Sequence, residues 1–385
     1  MEALFSCIEK NEKEYLELLK ALVCIESYTP DKQGVDAVGA CLRKFAEARG
    51  FSVQIRPFEK AGDGMLITMN ADAPLPPVVY TGHLDTVFPV GTFPTLWREE
   101  DGKLFGPGVV DMKGGLVQGL LAMDALQETG WRERPVKFII IPDEEFSESF
   151  SGEEGKDFIR DNAKGAAAAI TLEANIPGKV TVGRKGSIRY KVSVHGRAAH
   201  AGSAYADGIS AIKEAAHKIL DIEAPSDPAQ ITYNCGVMQG GTSPNTVPGE
   251  ATFLLYNRYW KLAQRQEIRD HVEGILKKSY IPGTKTDYEI TGGRLPMDAS
   301  EANYRLAAHI DAVSRRYGFG AMEPVLRASG SDASYTAMAG APSVCSMGPQ
   351  GGRAHSPEEF LYADSLVRQA KLLAAVTKEL PADFG

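Results

Sequence analysis

The stretch VVYTGHLDTV, residues 78–87, begins as an apolar run and then carries a histidine and an aspartate two positions apart. Because alternate residues of a strand face the same side, His83 and Asp85 should project together at the end of this strand. An imidazole and a carboxylate so placed form either half of a metal site or a hydrogen-bonded structural pair. His83 alone favours the structural interpretation, so the remaining segments decide.

Four further segments place carboxylates or a histidine where an apolar stretch ends. The chain carries Asp111 in FGPGVVDMKGG, Glu144 and Glu145 in VKFIIIPDEE, Glu173 in AAAAITLEA, and His355 in PSVCSMGPQGGRAHSPEE. In an open α/β sheet, ligands gather outside the carboxyl ends of the strands. We therefore expect these segments, with His83 and Asp85, to meet at one rim of a sheet.

Each segment also has an ordinary structural interpretation. Asp111 suits a turn or a helix cap, and Glu144 and Glu145 suit a solvated loop. Glu173 suits a strand boundary, and His355 suits a helix start. Together, however, these interpretations bring several carboxylates close to one another, which costs free energy unless cations or protons compensate. Two histidines and three or four carboxylates are donors that zinc accepts, and their number indicates a pair of ions.

The elements that must position these residues follow from the periodicity of apolar residues. Two amphipathic helices open the chain, and Gly50 ends the second. Short apolar runs then alternate with helical stretches, which predicts a largely parallel sheet covered by helices. The later helices are predicted over residues 114–126, 155–162, 207–222, 262–276, 301–316 and 358–380.

The pattern changes after Gly183. SIRYKVSVHG alternates apolar and polar residues, which is typical of a strand with one solvated face. The strand and helix signals that follow have the order βαββαβ, which suits a small ferredoxin-like sheet with two helices on one face. The sequence therefore predicts an α/β domain over 1–182 and 294–385, interrupted by an inserted α+β domain over 183–293.

Composition narrows the function classes. A chain of 385 residues favours two domains over one core. The net charge of −8 argues against a nucleic-acid or anionic-membrane surface. The five cysteines are scattered, without a CxxC pair, which favours a reducing compartment. The first residues lack the features of a signal peptide, and no run approaches the roughly 20 apolar residues of a membrane span, so we expect a cytoplasmic protein.

The motifs GHLDTV, GPGVVDMKGG, PDEE and AHSPEEF, in this order, resemble those of a dizinc amidohydrolase and peptidase family. Its members include bacterial glutamate carboxypeptidase, acetylornithine deacetylase, succinyl-diaminopimelate desuccinylase and aminoacylase. The resemblance covers essentially the whole chain. It implies a zinc-exopeptidase-like catalytic domain, with helices on both faces of its sheet, and an inserted lid and dimerisation domain. It also implies two Zn²⁺ ions, for which Co²⁺ or Mn²⁺ can substitute.

The resemblance also implies roles for the motif residues. The implied metal ligands are a bridging aspartate, Asp111, then His83 and Glu173 for one ion, and Glu145 and His355 for the other. Asp85 would fix the tautomer of His83, and Glu144 would be the general base on the bridging water. The peptide bond Asp111–Met112 is expected to be cis.

The inserted domain contributes candidates for substrate recognition. His200, in GRAAHAGSAYADG, is either a loop histidine or, as the resemblance implies, a donor that reaches the partner subunit's active site and stabilises the oxyanion. Asn245, Arg258 and Arg294 are candidates for binding a substrate carboxylate. The planar guanidinium fork of an arginine matches a carboxylate with two hydrogen bonds. Surface ion pairing is the alternative for the two arginines. The segment ASGSDASY, which contains Gly330, resembles the family's glycine-rich stretch that helps to hold the same end of the substrate.

These features favour hydrolysis of an amide that links an acyl or peptidyl group to an amino acid with a free carboxylate. The enzyme would be a glutamate-carboxypeptidase-like exopeptidase or an N-acyl amino acid deacylase. Dipeptidases of the family tend to carry a second aspartate where Met112 stands. A di- or tripeptidase is the alternative within the family. A non-catalytic binding protein is the alternative outside it, although every expected ligand and the base are present. The expected partners are the small substrate and a second copy of the chain, with no nucleic acid and no membrane.

Overall fold

The structure is a computed structural model that describes residues 1–384. The chain forms two compact units, the first comprising Met1–Gly183, Ala299–Arg327 and residues 331–384, and the second comprising Arg184–Asp298 and Ala328–Gly330. The second unit thus extends beyond the predicted limit at residue 293. Its extra segment is held by backbone hydrogen bonds between Arg184 and Met297, at 3.0 Å, and from the Ser187 N–H to the Arg294 carbonyl, at 2.7 Å.

The helices are numbered in chain order. They are α1 (Glu2–Val23), α2 (Lys32–Ala48), α3 (Gly114–Glu128), α4 (Gly152–Ala163), α5 (Ala211–Glu223), α6 (Gln264–Leu276), α7 (Glu301–Arg316), α8 (Ala333–Met338) and α9 (Ala363–Lys378). Within residues 1–384, none of the helices combines the length and the apolar character that crossing a bilayer requires.

The strands are numbered in the same way. They are β1 (Ser52–Arg56), β2 (Gly64–Met69), β3 (Val78–His83), β4 (Arg98–Glu100), β5 (Lys103–Phe105), β6 (Val136–Ile141), β7 (Ala168–Thr171), β8 (Lys179–Arg184), β9 (Gly186–His195), β10 (Ala199–His200), β11 (Thr232–Gly240), β12 (Thr246–Val247), β13 (Glu250–Tyr259), β14 (Lys285–Gly292), β15 (Glu323–Arg327), β16 (Ser343–Val344), β17 (Gly351–Gly352) and β18 (Phe360–Tyr362).

The first unit is built on a six-stranded sheet with the order β1-β2-β6-β3-β7-β16. β3 pairs in parallel with β6 and with β7, and β16 pairs in parallel with β7. β1 and β2 add an antiparallel pair at one edge. The unit therefore has mixed α/β content and a mostly parallel central sheet, which confirms the predicted fold class of the catalytic domain.

Both faces of this sheet are covered, because successive residues of one strand enter different cores. Val78 and Tyr80 of β3 belong to the large core that also contains the buried residues of α1, α3 and α9. Val79, between them, packs instead with Ile159 of α4. A strand buried on both faces reads as a continuous apolar run, as VVYTGH does. The sheet is thus a packed platform for the polar side chains that follow its strands.

The second unit contains a four-stranded antiparallel sheet with the order β11-β13-β9-β14. Along the chain, its elements run β9, α5, β11, β13, α6, β14. Ala215 of α5 and Val272 of α6 pack in one core with Tyr190, Val192 and Phe253 of the sheet. Two helices therefore cover one face of a small sheet in this unit.

The last helix differs from its prediction. The sequence predicts a helix over 358–380, but α9 begins at Ala363. Phe360–Tyr362 form β18 instead, which pairs antiparallel with β5 and sets Phe360 opposite Phe105. This pairing brings the chain that precedes β18 beside the chain that follows β5.

Candidate metal centre

The candidate metal ligands lie at the ends of three neighbouring strands and in two loops of the first unit. His83 is the last residue of β3, Glu145 lies in the short helical turn after β6, and Glu173 follows β7. Because β3 lies between β6 and β7 and runs parallel to both, the three carboxyl ends meet at one edge. Asp111 lies in the turn between β5 and α3, and His355 lies in the loop between β17 and β18.

These side chains form two groups that share Asp111, which we call the Asp111 cluster. His83 Nε2 lies 3.4 Å from Asp111 Oδ1 and 3.9 Å from Glu173 Oε1. His355 Nε2 lies 3.3 Å from Asp111 Oδ2 and 3.2 Å from Glu145 Oε2. Within each group, the candidate ligand atoms all lie within 4.8 Å of one another. Each carboxylate oxygen of Asp111 therefore faces a different group, as a bridging ligand requires.

Asp85 supports both groups from a fully buried position. Its Oδ1 lies 3.1 Å from His83 Nδ1 and accepts a hydrogen bond from the backbone N–H of Glu144 at 3.1 Å. Its Oδ2 accepts hydrogen bonds from the backbone N–H of Glu145 at 3.1 Å and from the hydroxyl of Thr29 at 2.7 Å. One carboxylate thus orients an imidazole and the backbone of both glutamates.

A cation fits the Asp111 cluster. His83 Nδ1 faces acceptor oxygens of Asp85, so a neutral ring carries its proton there and turns the lone pair of Nε2 toward Asp111 and Glu173. Nε2 is buried, and among the residues that the structure describes it has no hydrogen-bond partner. Lone pairs that meet in this way need a proton or a metal ion between them. Nitrogen and oxygen donors in this combination suit Zn²⁺.

In the metal-free chain, protons on the histidines balance the carboxylates. Hydrogen bonds to Asp111 and Glu145 raise the pKa of His355 to about 11. Burial alone would lower the pKa of His83, but the carboxylates of Asp111 and Asp85 outweigh it and raise that pKa well above its usual value. Burial and the charge of Asp111 raise the pKa of Glu145 to about 8. The cluster therefore requires positive charge, which a bound cation would supply.

The backbone near the cluster has unusual conformations. Gly108 has φ +72°, in the left-handed region that favours glycine. The peptide bond Asp111–Met112 is cis, which confirms the expectation drawn from the family resemblance. His355 has φ +64°, and Ser147 and Glu148 have φ +57° and +53°. Left-handed conformations of residues other than glycine concentrate at functional sites.

In the second unit, His200 lies in β10, which pairs with β12. Its side chain is exposed, and its Nδ1 accepts hydrogen bonds from the backbone N–H groups of Gly202 and Ser203, each at 3.1 Å. A neutral ring then carries its proton on Nε2 and presents a donor. The carbonyl of Asn245 accepts a hydrogen bond from the Ala201 N–H at 2.8 Å, so His200 and Asn245 lie on adjacent segments.

Arg258 and Arg294 lie together around Gly330, also in the second unit. A Cβ atom added to Gly330 would lie 3.1 Å from Arg294 Cδ and 3.8 Å from Arg258 Nη1. Arg184 joins them, since its Nη1 donates to Ser329 Oγ at 2.7 Å and to the Gly330 carbonyl at 3.1 Å. Burial lowers the pKa of Arg258, and the positive charges of Arg294 and Arg184 lower it further. We call Arg184, Arg258 and Arg294 the arginine group.

A comparison with known families identifies the chain. The model of the peptidase family M20/M25/M40 matches residues 79–379. The chain belongs to this family. Its members are metal-dependent hydrolases, so the protein is an enzyme of the M20/M25/M40 class, as the motifs of the Asp111 cluster predicted.

Individual members of the M20/M25/M40 family resemble the chain over nearly its whole length. Carboxypeptidase G2 from Pseudomonas sp. (strain RS-16) is 26% identical over 389 residues, which cover 98% of this chain and 92% of that protein. Succinyl-diaminopimelate desuccinylase from Gluconacetobacter diazotrophicus is 26% identical over 393 residues, covering 95% and 96%. The crystal structure of a tripeptidase from Staphylococcus aureus shares the fold, with a TM-score of 0.78 and 23% identity over 96% of this chain and 98% of that one.

The motifs of the M20/M25/M40 family do not single out every residue that supports the centre. Thr29 holds Asp85, and Asp143 accepts hydrogen bonds from the backbone and hydroxyl of Ser151 in the loop beyond the two glutamates. Glu359 lies beneath the turn of Asp111. The motif AHSPEEF contains Glu359, but its letters alone do not distinguish this buried residue from its exposed neighbour Glu358.

Proposed function

We propose that this M20/M25/M40 enzyme hydrolyses the amide bond between an acyl or peptidyl group and an amino acid with a free carboxylate. Such an enzyme is a glutamate-carboxypeptidase-like exopeptidase or an N-acyl amino acid deacylase. The observation that carries the proposal is the pair of ligand groups that share Asp111, with Glu144 held beside them by Asp85. The names of the relatives, a carboxypeptidase and a desuccinylase, support the same substrate class.

Two zinc ions are the proposed cofactor. His83, Asp111 and Glu173 would hold one ion, and Asp111, Glu145 and His355 would hold the other. When bound, the two ions acidify a water molecule and polarise the amide carbonyl. Co²⁺ or Mn²⁺ would suit the same donors.

Glu144 is the proposed general base. The residue is 8% exposed, and its backbone N–H is held by the hydrogen bond to Asp85. Of the two adjacent glutamates, Glu145 belongs to a ligand group and Glu144 does not. A carboxylate that is not neutralised by a metal can accept a proton. Glu144 would take the proton from the attacking water and give it to the leaving amine.

The second unit would bind the rest of the substrate. The arginine group concentrates positive charge around Gly330, and a guanidinium group binds a carboxylate with two parallel hydrogen bonds. We assign the substrate's free carboxylate to Arg258 and Arg294, with Gly330 and Asn245 beside them. His200 would donate from Nε2 to the oxyanion that develops on the amide carbonyl of the partner subunit's substrate.

A homodimer formed through the second unit, acting as lid and dimerisation domain, completes the proposal. β11 is an edge strand of its sheet, and Val237 and Met238 on it are 44% and 40% exposed. Leu220 of α5 is 70% exposed. An edge strand with exposed apolar side chains is suited to pairing with a second chain. The cytoplasmic location stays a prediction from the sequence.

The proposal is tested by product analysis. Wild-type, chelator-treated and Glu144→Gln proteins are incubated with N-acyl amino acids, dipeptides and tripeptides, and with their C-terminal methyl esters, and products are identified by mass spectrometry. The wild type should release amino acids from free acids and not from esters, because an ester lacks the charged carboxylate that Arg258 and Arg294 would bind. Glu144→Gln should keep its metal and lose at least about 100-fold in kcat.

Three results would contradict this assignment. Substantial turnover by Glu144→Gln removes the residue from the role of base. Release from tripeptides alone favours a tripeptidase. Binding of substrate by the metal-loaded protein without any product favours the non-catalytic alternative.

A further inference from the structure

A buried carboxylate lies behind the turn that carries Asp111. Because β5 and β18 pair antiparallel, the chain that follows β5 runs beside the chain that precedes β18. The backbone N–H of Gly106 donates to the carbonyl of Glu359 at 3.4 Å and continues this pairing by one step. The side chain of Glu359 is thereby placed beneath residues 108–111.

The carboxylate of Glu359 collects three backbone donors of this turn. Its Oε1 accepts from the N–H groups of Val110 at 2.8 Å and Asp111 at 3.0 Å, and its Oε2 accepts from the N–H of Gly108 at 3.3 Å. The residue is fully buried. Backbone donors in a buried turn must find acceptors outside regular secondary structure, and here one side chain supplies them.

The neighbouring glutamate provides a contrast. The side chain of Glu358 is 57% exposed and pairs with Arg98 on the surface at 3.2 Å. Two adjacent residues of the same type thus have different environments, and only one of the two contacts the turn. Since burial of a carboxylate is costly, an apolar residue would serve better if the position only had to be filled.

We propose that Glu359 is a positioning residue of the metal centre, which fixes the turn so that Asp111 offers one oxygen to each ligand group. The inference rests on the proposed metal centre. His355 lies four residues before Glu359 in the same segment. That segment therefore supplies one ligand directly and holds Asp111 in place through the turn, and the two ligands lie 3.3 Å apart.

Two substitutions separate a positioning role from a filling role. In Glu359→Gln, the amide oxygen can keep the hydrogen bonds to Val110 and Asp111, while the amide nitrogen faces the N–H of Gly108 and loses the longest of the three. In Glu359→Met, a side chain of similar length leaves all three donors without this acceptor. Glu358→Gln is the matched control, because it makes the same chemical change one residue away and outside the turn.

The test measures Co²⁺ affinity by chelator competition and the visible spectrum of the Co²⁺-loaded enzyme, with the unfolding midpoint of the metal-free protein as a second measurement. Co²⁺ affinity should fall about 10-fold in Glu359→Gln and about 100-fold in Glu359→Met, with an altered cobalt spectrum, and should not change in Glu358→Gln. A filling role would move only the unfolding midpoint.

Glu359→Gln suffices for the test if Glu359→Met fails to fold. Wild-type affinity and spectrum in either variant would overturn the inference while leaving the metal centre intact. Equal losses in the two variants would also overturn it, because they would assign the effect to charge rather than to the hydrogen bonds. A wild-type protein that binds no Co²⁺ would instead refute the proposed metal centre.

Discussion

Replacing Asp85 by asparagine perturbs the centre without changing the size of the side chain. The two oxygens of Asp85 meet four donors, of which His83 and Glu144 face Oδ1 and Glu145 and Thr29 face Oδ2. The new amide nitrogen is best placed at Oδ2. There the Thr29 hydroxyl can accept from it and donate instead to the Thr86 carbonyl, which lies 3.2 Å away.

The magnitude follows from what this arrangement leaves unpaired. The backbone N–H of Glu145 loses its acceptor, and one buried donor without a partner costs about 1–3 kcal/mol of the free energy of unfolding. His83 keeps an acceptor at Oδ1, but this acceptor no longer carries the negative charge of a carboxylate. The loss of such a charge behind a metal ligand costs about 10–100-fold in metal affinity. We therefore expect Asp85→Asn to fold, with both losses.

Urea denaturation of the metal-free protein measures the first loss, and Zn²⁺ competition with a chromophoric chelator measures the second. Asp101→Asn is the control. Asp101 lies in the exposed turn between β4 and β5 with φ +50°, a conformation that asparagine tolerates. This change should stay within about 0.5 kcal/mol of the wild type. If Asp85→Asn matched the control in both measurements, the role assigned to Asp85 would be wrong.

Three other predictions concern the stability of the second unit, the release of protons on Zn²⁺ binding and the proposed dimer. Lys218 and Glu214 of the second unit form an ion pair at 2.9 Å with both side chains fully buried. Lys218→Met should therefore lower the free energy of unfolding of that unit by about 3–5 kcal/mol and lower its melting temperature. An unchanged melting curve would contradict this prediction. Zn²⁺ binding near neutral pH should release protons, because a pKa of about 11 keeps His355 protonated until the metal displaces its proton. Calorimetry of Zn²⁺ binding in two buffers of different ionisation enthalpy measures this release. Equal heats in the two buffers would contradict the prediction. Mixed and re-equilibrated His200→Ala and Glu144→Gln subunits should regain about a quarter of wild-type activity, since half the dimers would carry one intact shared site, and no recovery would refute the donation across subunits.

The residues of the Asp111 cluster could be predicted because their positions follow from strand ends. His83, Glu145 and Glu173 each lie at or just after the end of an apolar run, and parallel strands bring such ends together regardless of loop detail. Glu359 and Arg184 could not be found in this way. Their contacts depend on the pairing of β5 with β18 and on the return of residues 328–330 to the second unit, and both are long-range features.

The same distinction explains which helix limits were predicted correctly. α7 covers the predicted residues 301–316, and Ser300 caps it locally by accepting a hydrogen bond from the Asn303 N–H at 3.2 Å. α5 begins at Ala211 rather than at residue 207, because the cap is Ser210 and residues 205–207 form a separate short turn. α9 begins late because β18 pairs with β5. The local cap of α7 matches its predicted start, the predicted start of α5 misses an equally local cap, and the start of α9 could not be read locally because a distant strand sets it.

We propose above that the Asp111 cluster holds two metal ions. An anomalous difference map from crystals of the zinc-loaded enzyme, recorded at the zinc absorption edge, tests it most directly. We expect two peaks about 3.5–4 Å apart, one on each side of the Asp111 carboxylate. The peak on one side should contact His83 and Glu173, and the other should contact Glu145 and His355. A map without a peak at the cluster, or with a single peak in fully loaded crystals, would contradict a two-metal centre.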